Sequence, residues 1–136
     1  MQNSMSQRRL RFDRADAHDE QDGQCRVQVT LTFGDRIIET SAAESSEGKG
    51  PLKAAAEATL RAIEEAVEGR FTCRLVDLDH VNALGKDLVA ALVDVSFEGR
   101  EVQVFGSCQL FGSEIDAAVK AALNATNRFV ELATRE

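Results

Sequence analysis

Two stretches of the sequence read alike, and that likeness restricts the fold more than any other feature. "VTLTFGDRIIETSA" (29–42) and "LVDVSFEGREVQVFGS" (92–107) each carry a Phe, a turn with Gly and Arg, and then an alternating strand. Each leads through a short loop into an alanine-rich helix. A hairpin and helix of this kind has one apolar sheet face and one apolar helix stripe, and pairing two units closes a core. The order read along the chain is strand, strand, helix, then strand, strand, strand, helix. The fold class is therefore α+β: two pseudo-repeated strand-strand-(strand)-helix units, with antiparallel sheets and helices packed on one face. Both stripes are expected to meet on a common sheet. Alanine stripes have little bulk and leave modest apolar area per helix, so association into a homodimer is expected to add burial.

Order is expected from residue 24 onward. In "CRVQVTLTF", Val27, Val29, Leu31 and Phe33 alternate with Gln28, Thr30 and Thr32, the mark of a half-buried strand. "GDR" (34–36) is a tight turn, "IIETSAAE" a second strand, and "SSEGKG" a loop. The first helix opens at Pro51, where a missing N–H costs little, and Gly69 suits its left-handed end. "RFTCRLVDLDHVNAL" (70–84) reads as a strand with an irregularity near Asp79. "LVAALVDVSF" (88–97) is nearly all apolar, as a central strand should be, and "EVQVFGSCQL" follows it. Ser113 is a natural N-cap for a second helix to about Ala133. Residues 1–23 are polar and without period, and are read as a disordered tail ahead of one domain over 24–136.

Composition narrows the function. The chain has 136 residues, a net charge of −7, no Trp and no Tyr. An acidic chain with few aromatics is a poor match for nucleic acid or for anionic membrane surfaces. No apolar run approaches the roughly 20 residues of a membrane span. Arg8, Arg9 and Arg11 precede no apolar core, so no secretory signal is read. Cys25, Cys73 and Cys108 form no CxxC pair, and neither His18 nor His80 lies at zinc spacing from them. Buried thiols in a reducing cytoplasm are the expectation, with no metal and no cofactor.

"GKGP" (48–51) resembles a phosphate loop only in its glycines, because Pro51 and Leu52 stand where Lys and Ser/Thr would be needed. Capping is the default role for such a stretch, although a helix start also suits a carboxylate or phosphate. Glu64–Glu65 falls on a charged helix face. Asp77 and Asp79 share one side of a strand, and with His80 they define the enzymatic reading, but no third ligand or nucleophile–base arrangement accompanies them. No catalytic residue is assigned.

Residues 25–130 resemble the C-terminal regulatory (dimerisation) domain of 2-isopropylmalate synthase and its relatives such as citramalate synthase. The resemblance rests on Gly48-Lys49-Gly50-Pro51 with Leu52 and Ala54, on the turn Gly85-Lys86-Asp87, and on Ser113, Ala117, Ala121, Ala125, Asn127 and Arg128 in the last helix. It implies two pseudo-repeated units, a homodimer, and a site for an amino-acid effector such as leucine near the dimer interface. It implies ligand contacts at Gly48, Gly50, Leu52 and Asp87, with bare backbone at the glycines and helix N–H groups facing a carboxylate. The chain departs from the family at Leu88, where an alanine is usual, and in strand glycines thinned to Gly106 and Gly112. It carries no catalytic barrel, so the implied protein is a free-standing regulatory domain, with a separate catalytic subunit as a possible partner. The alternative is a dimeric scaffold that has lost the pocket.

Overall fold

The computed structural model describes residues 9–135. It contains β1 (Leu10–Glu20), β2 (Gln24–Phe33), β3 (Arg36–Ser45), α1 (Gly50–Ala66), β4 (Thr72–Ala83), β5 (Lys86–Phe97), β6 (Arg100–Gln109) and α2 (Glu114–Thr134). The chain is thus two βββα units in tandem. The residue-level correspondence is regular: Phe97, Arg100 and Gly112 each fall 64 positions after Phe33, Arg36 and Gly48.

Two expectations are corrected. Residues 10–20 are a strand, not a tail, and pair antiparallel with β2 from Leu10–Phe33 to Glu20–Gln24. Residues 1–8, including Arg8, lie outside the described residues. Nor do the units share one sheet: β1-β2-β3 and β4-β5-β6 are separate three-stranded antiparallel sheets. With a third strand in each unit, each sheet is wide enough to cover its own helix. The first sheet lays β2 and β3 on α1 and reaches α2 with β1; the second lays β5 and β6 on α2 and reaches α1 with β4. The two helices also pack on each other.

The core follows the two periodicities of the sequence. Val27, Val29 and Leu31 of β2 and Val89, Ala91, Val93 and Val95 of β5 are fully buried beneath the helices. The helices contribute mostly alanine, including Ala54, Ala55, Ala58 and Ala62 of α1 and Ala118, Ala121 and Ala122 of α2. Such small side chains let a helix lie almost on the strand backbone. At Gly106 of β6 an added Cβ would sit 2.7 Å from the Cα of Ala125, and closer still to Ala121 O and Ala125 N.

Both helices run the same way. At their C-terminal ends Arg70, just beyond α1, donates from Nη1 to the carbonyl of Ala133 at 2.5 Å. Phe71, Phe97 and Phe129 close that end, with ring centroids 5.9–6.3 Å apart. The two N-termini therefore lie together at the opposite end. No helix among the described residues is long and apolar enough to cross a membrane.

Candidate functional site

Where the helix N-termini meet, a cleft of about 470 Å³ opens. Gly48, Lys49, Pro51 and Leu52 supply its α1 side, and Glu114 and Ile115 its α2 side. Ala17 and Asp19 of β1, Cys25 of β2 and His80 of β4 complete the walls. Pro51 and Ile115 are repeat mates, 64 positions apart, so the cleft sits on the pseudo-twofold axis between the units.

The sequence-derived residues divide. Gly48 lines the cleft with φ +60, a left-handed conformation that glycine adopts without strain, and open space faces the position of a Cβ. Leu52 lines it as well. Gly50 lies outside the lining: it is buried, and a Cβ there would press on the carbonyl of Ser45. Its bareness serves helix–loop packing. Asp87 is also outside. Its Oδ1 accepts from Asn82 Nδ2 at 3.0 Å and its carbonyl accepts from the Leu110 N–H at 2.8 Å, which fastens the β4–β5 hairpin to the end of β6. Leu88 pairs with Val81 on the sheet face away from the helices.

Backbone donors are fewer on the α1 side than its helix start suggests. Gly50 N–H is spent on the Glu47 carbonyl, Pro51 has none, and Lys53 N–H already bonds the Lys49 carbonyl. Leu52 N–H alone has no acceptor among the described residues. On α2 the Ser113 hydroxyl accepts from the Asp116 N–H at 3.1 Å and Ala117 N–H bonds the Ser113 carbonyl. That leaves the N–H groups of Glu114 and Ile115 without acceptors among the described residues. Three free donors thus sit at helix N-termini in the cleft lining, where the positive dipole ends favour an anion.

The charges around the cleft have both signs. Lys49 Nζ lies 3.6 Å from Asp77 Oδ1 and 3.8 Å from Asp79 Oδ1, and Lys53 Nζ is 4.0 Å from Asp77. These are solvent-exposed pairs, each worth little on its own, so Lys49 can exchange partners at small cost. The Asp77 carboxyl is held below the usual range, first by the Leu78 N–H and then by Lys49. His80 Nδ1 stands 3.4 Å from Glu114 Oε2 and ties β4 to α2, as an ion pair only when the imidazole is protonated.

The arrangement gives little support to covalent or metal chemistry. Asp77 and Asp79 pair with Leu92 and Ala90 on the outer sheet face, whereas His80 pairs with the buried Val89 on the inner one, so the three do not converge. Burial, then Asp19 and Glu20, raises the Cys25 thiol, and burial with Glu64 pushes Cys73 up to about 12. Thiols held protonated are weak nucleophiles. Among the described residues no group of three or more His, Cys, Asp or Glu could hold a metal ion.

Sequence reasoning passed over Ala17, Asp19, Glu114 and Ile115, and saw Lys49 only as part of the glycine motif. Ala17 and Asp19 were hidden by reading β1 as a tail, and Glu114 and Ile115 carry no motif of their own. Compared with protein-family models and with curated proteins, the sequence finds no match in either.

Proposed function

We propose that this chain is a homodimeric regulatory domain that binds a small amino-acid-like ligand, such as a branched-chain amino acid, and performs no catalysis alone. The observation that carries the reading is the make-up of the cleft: Lys49 and three unpaired N–H groups for a carboxylate, Asp19 and Glu114 for an ammonium, and Ala17, Pro51, Leu52 and Ile115 for an apolar side chain. Its volume is more than enough to admit a ligand of this size. The resemblance to the regulatory domain of 2-isopropylmalate synthase points the same way and would add a separate catalytic subunit as partner. Three free cysteines are in keeping with a cytoplasmic setting.

Titration calorimetry of the full chain with leucine, isoleucine and valine tests the reading. At least one should give a saturable heat, and Lys49→Met should weaken it by about tenfold, the loss of one charge-assisted hydrogen bond. Silence from a broad amino-acid panel would sink it and favour the pocketless scaffold. One observation favours that second reading: Gly50 packs on Ser45 instead of opening to the cleft.

A further inference from the structure

We propose that the outer face of the β4-β5-β6 sheet is the surface through which two copies of this chain associate; this rests on the homodimer reading above and specifies its interface. The repeat supplies an internal control. Leu88, Ala90, Leu92 and Phe105 occupy that face, and their mates 64 positions earlier are Gln24, Arg26, Gln28 and Ser41. Backbone register is the same in both sheets: Leu92 pairs with Phe105 as Gln28 pairs with Ser41. At these four positions one plan has been dressed with polar side chains on the first sheet and apolar ones on the second; elsewhere on the same faces the order reverses, with Ile37 and Ala43 against Glu101 and Ser107. Phe105 is 67% exposed, with Leu92 beside it and Val81 across from Leu88. Adjoining apolar side chains on an exposed sheet face mark a surface for interaction.

A second copy is the occupant that the charges favour. The chain carries −7, so like surfaces generally repel. On this face the acids nearest the apolar row are matched: Asp94 accepts from Arg74 at 2.7 Å and from Gln103 at 2.9 Å, and Asp77 and Asp79 lie beside Lys49, while Glu101, at the far end of β6, accepts only from the Ser96 hydroxyl and would have to stay at the solvated rim. Two such faces can meet about a twofold axis without burying an unpaired charge provided that Glu101 remains at the rim, as a self-complementary contact requires. Three strands about 4.8 Å apart and roughly 33 Å long give on the order of 500 Å² per copy. The total, near 1,000 Å², reaches the lower bound for a specific interface.

Sedimentation velocity on the full chain over a range of concentrations decides the matter. The wild type should sediment as two copies. Phe105→Arg should weaken association roughly tenfold or more, the effect of losing a central aromatic contact. Gln28→Arg, at the mate of Leu92 on the polar sheet, should leave it unchanged. Leu92→Ser is the second variant, and unchanged far-UV circular dichroism guards against misfolding in each. A wild-type pair that survives both Phe105→Arg and Leu92→Ser overturns this interface and leaves the homodimer reading standing. A wild type of single-copy mass at every concentration overturns both.

Discussion

Substituting Gly106 by alanine tests the central packing claim, that alanine-lined α2 lies against bare strand backbone. The added methyl would sit 2.7 Å from the Cα of Ala125, and Ala121 O and Ala125 N are nearer still. Carbon atoms settle at about 3.5–4.0 Å, so α2 must recede by roughly 1 Å. No side chain can rotate away, because every close neighbour is backbone. A gap of this size forfeits a quarter to a half of the dispersion well for atoms along the seam, which includes the buried Ala118, Ala121, Ala122 and Ala125. Overpacking of this kind costs about 1–3 kcal/mol, and the stiffer unfolded chain returns about 0.4–1. A net loss of about 1.3 kcal/mol follows from the middle of those ranges, or a urea midpoint lower by about 0.6 M at an m-value near 2 kcal/mol/M. The mate position holds the buried Ala42, so the first unit already accommodates a methyl there, and Ala42→Gly should cost only about 0.5–1 kcal/mol. Wild type and variants are compared at one protein concentration, since association would shift apparent stability. A Gly106→Ala midpoint at or above that of the wild type would show that α2 does not press on β6.

Gly50→Ala should destabilise at least as much, because its Cβ would meet the Ser45 carbonyl on a fixed turn; a thermal midpoint unchanged from wild type would refute that contact. Stability should also carry a pH signature from Glu57, whose carboxyl is pushed up to about 7 by burial and then by Glu44. A raised carboxyl favours the fold fully below its ordinary value of 4.5 and loses that contribution as pH rises through 7. Because Glu57 is partly exposed, the effect after solvent screening is about 1 kcal/mol or less. Glu57→Gln should flatten the urea midpoint between pH 5 and 8, and a wild-type profile no steeper than the variant's contradicts the assignment. Asp13, lowered chiefly by the Thr32 hydroxyl, and Asp77, lowered chiefly by the Leu78 N–H, act in the opposite sense. Their contributions should fade as pH falls below about 4, and Asp13→Asn should blunt the acid limb of the same titration.

Periodicity made most of the fold legible. The alternation of Val27, Val29, Leu31 and Phe33 fixed β2, and Pro51 and Ser113 marked both helix starts to within a residue. β1 escaped because a bulge between Phe12 and Arg14 reverses its phase. Leu10 and Phe12 face the core on one side of it, Ala15 on the other, so no continuous alternation runs through the segment. Its outer positions, Arg11, Arg14, Asp16, His18 and Glu20, then read as a solvated tail. β4 has the same device between Leu75 and Asp77, ahead of the irregularity expected near Asp79. Had the broken pattern of β4 been sought about 61 residues earlier, the separation that pairing register gives for Asp16 and Asp77, β1 would have come into view. The cost of missing it fell on the cleft, whose Ala17 and Asp19 belong to that strand. The glycine motif was visible but not divisible: which glycine faces space and which faces backbone depends on the loop path.

The position of the cleft on the pseudo-twofold axis bears on why the two units are joined in one chain. A cleft between identical half-length chains would be symmetric, and a dipolar ligand would enter it equally well in either sense. Here the central mates Pro51 and Ile115 are both apolar, but the flanking mates have diverged: Lys49 faces Ser113 in the repeat, and Gly50 faces Glu114. With Lys49 and Asp19 on the first unit and Glu114 on the second, a dipolar ligand would meet different charges in its two orientations. The outer sheet faces diverged as well, with Gln24, Arg26, Gln28 and Ser41 on the first unit where the second has Leu88, Ala90, Leu92 and Phe105. Identical halves carrying the apolar face twice would present two sticky surfaces on opposite sides, and association would run on into chains instead of closing at a pair. Covalent tandem repetition permits a directional cleft and a single associating face within a fold whose core packing still obeys twofold geometry.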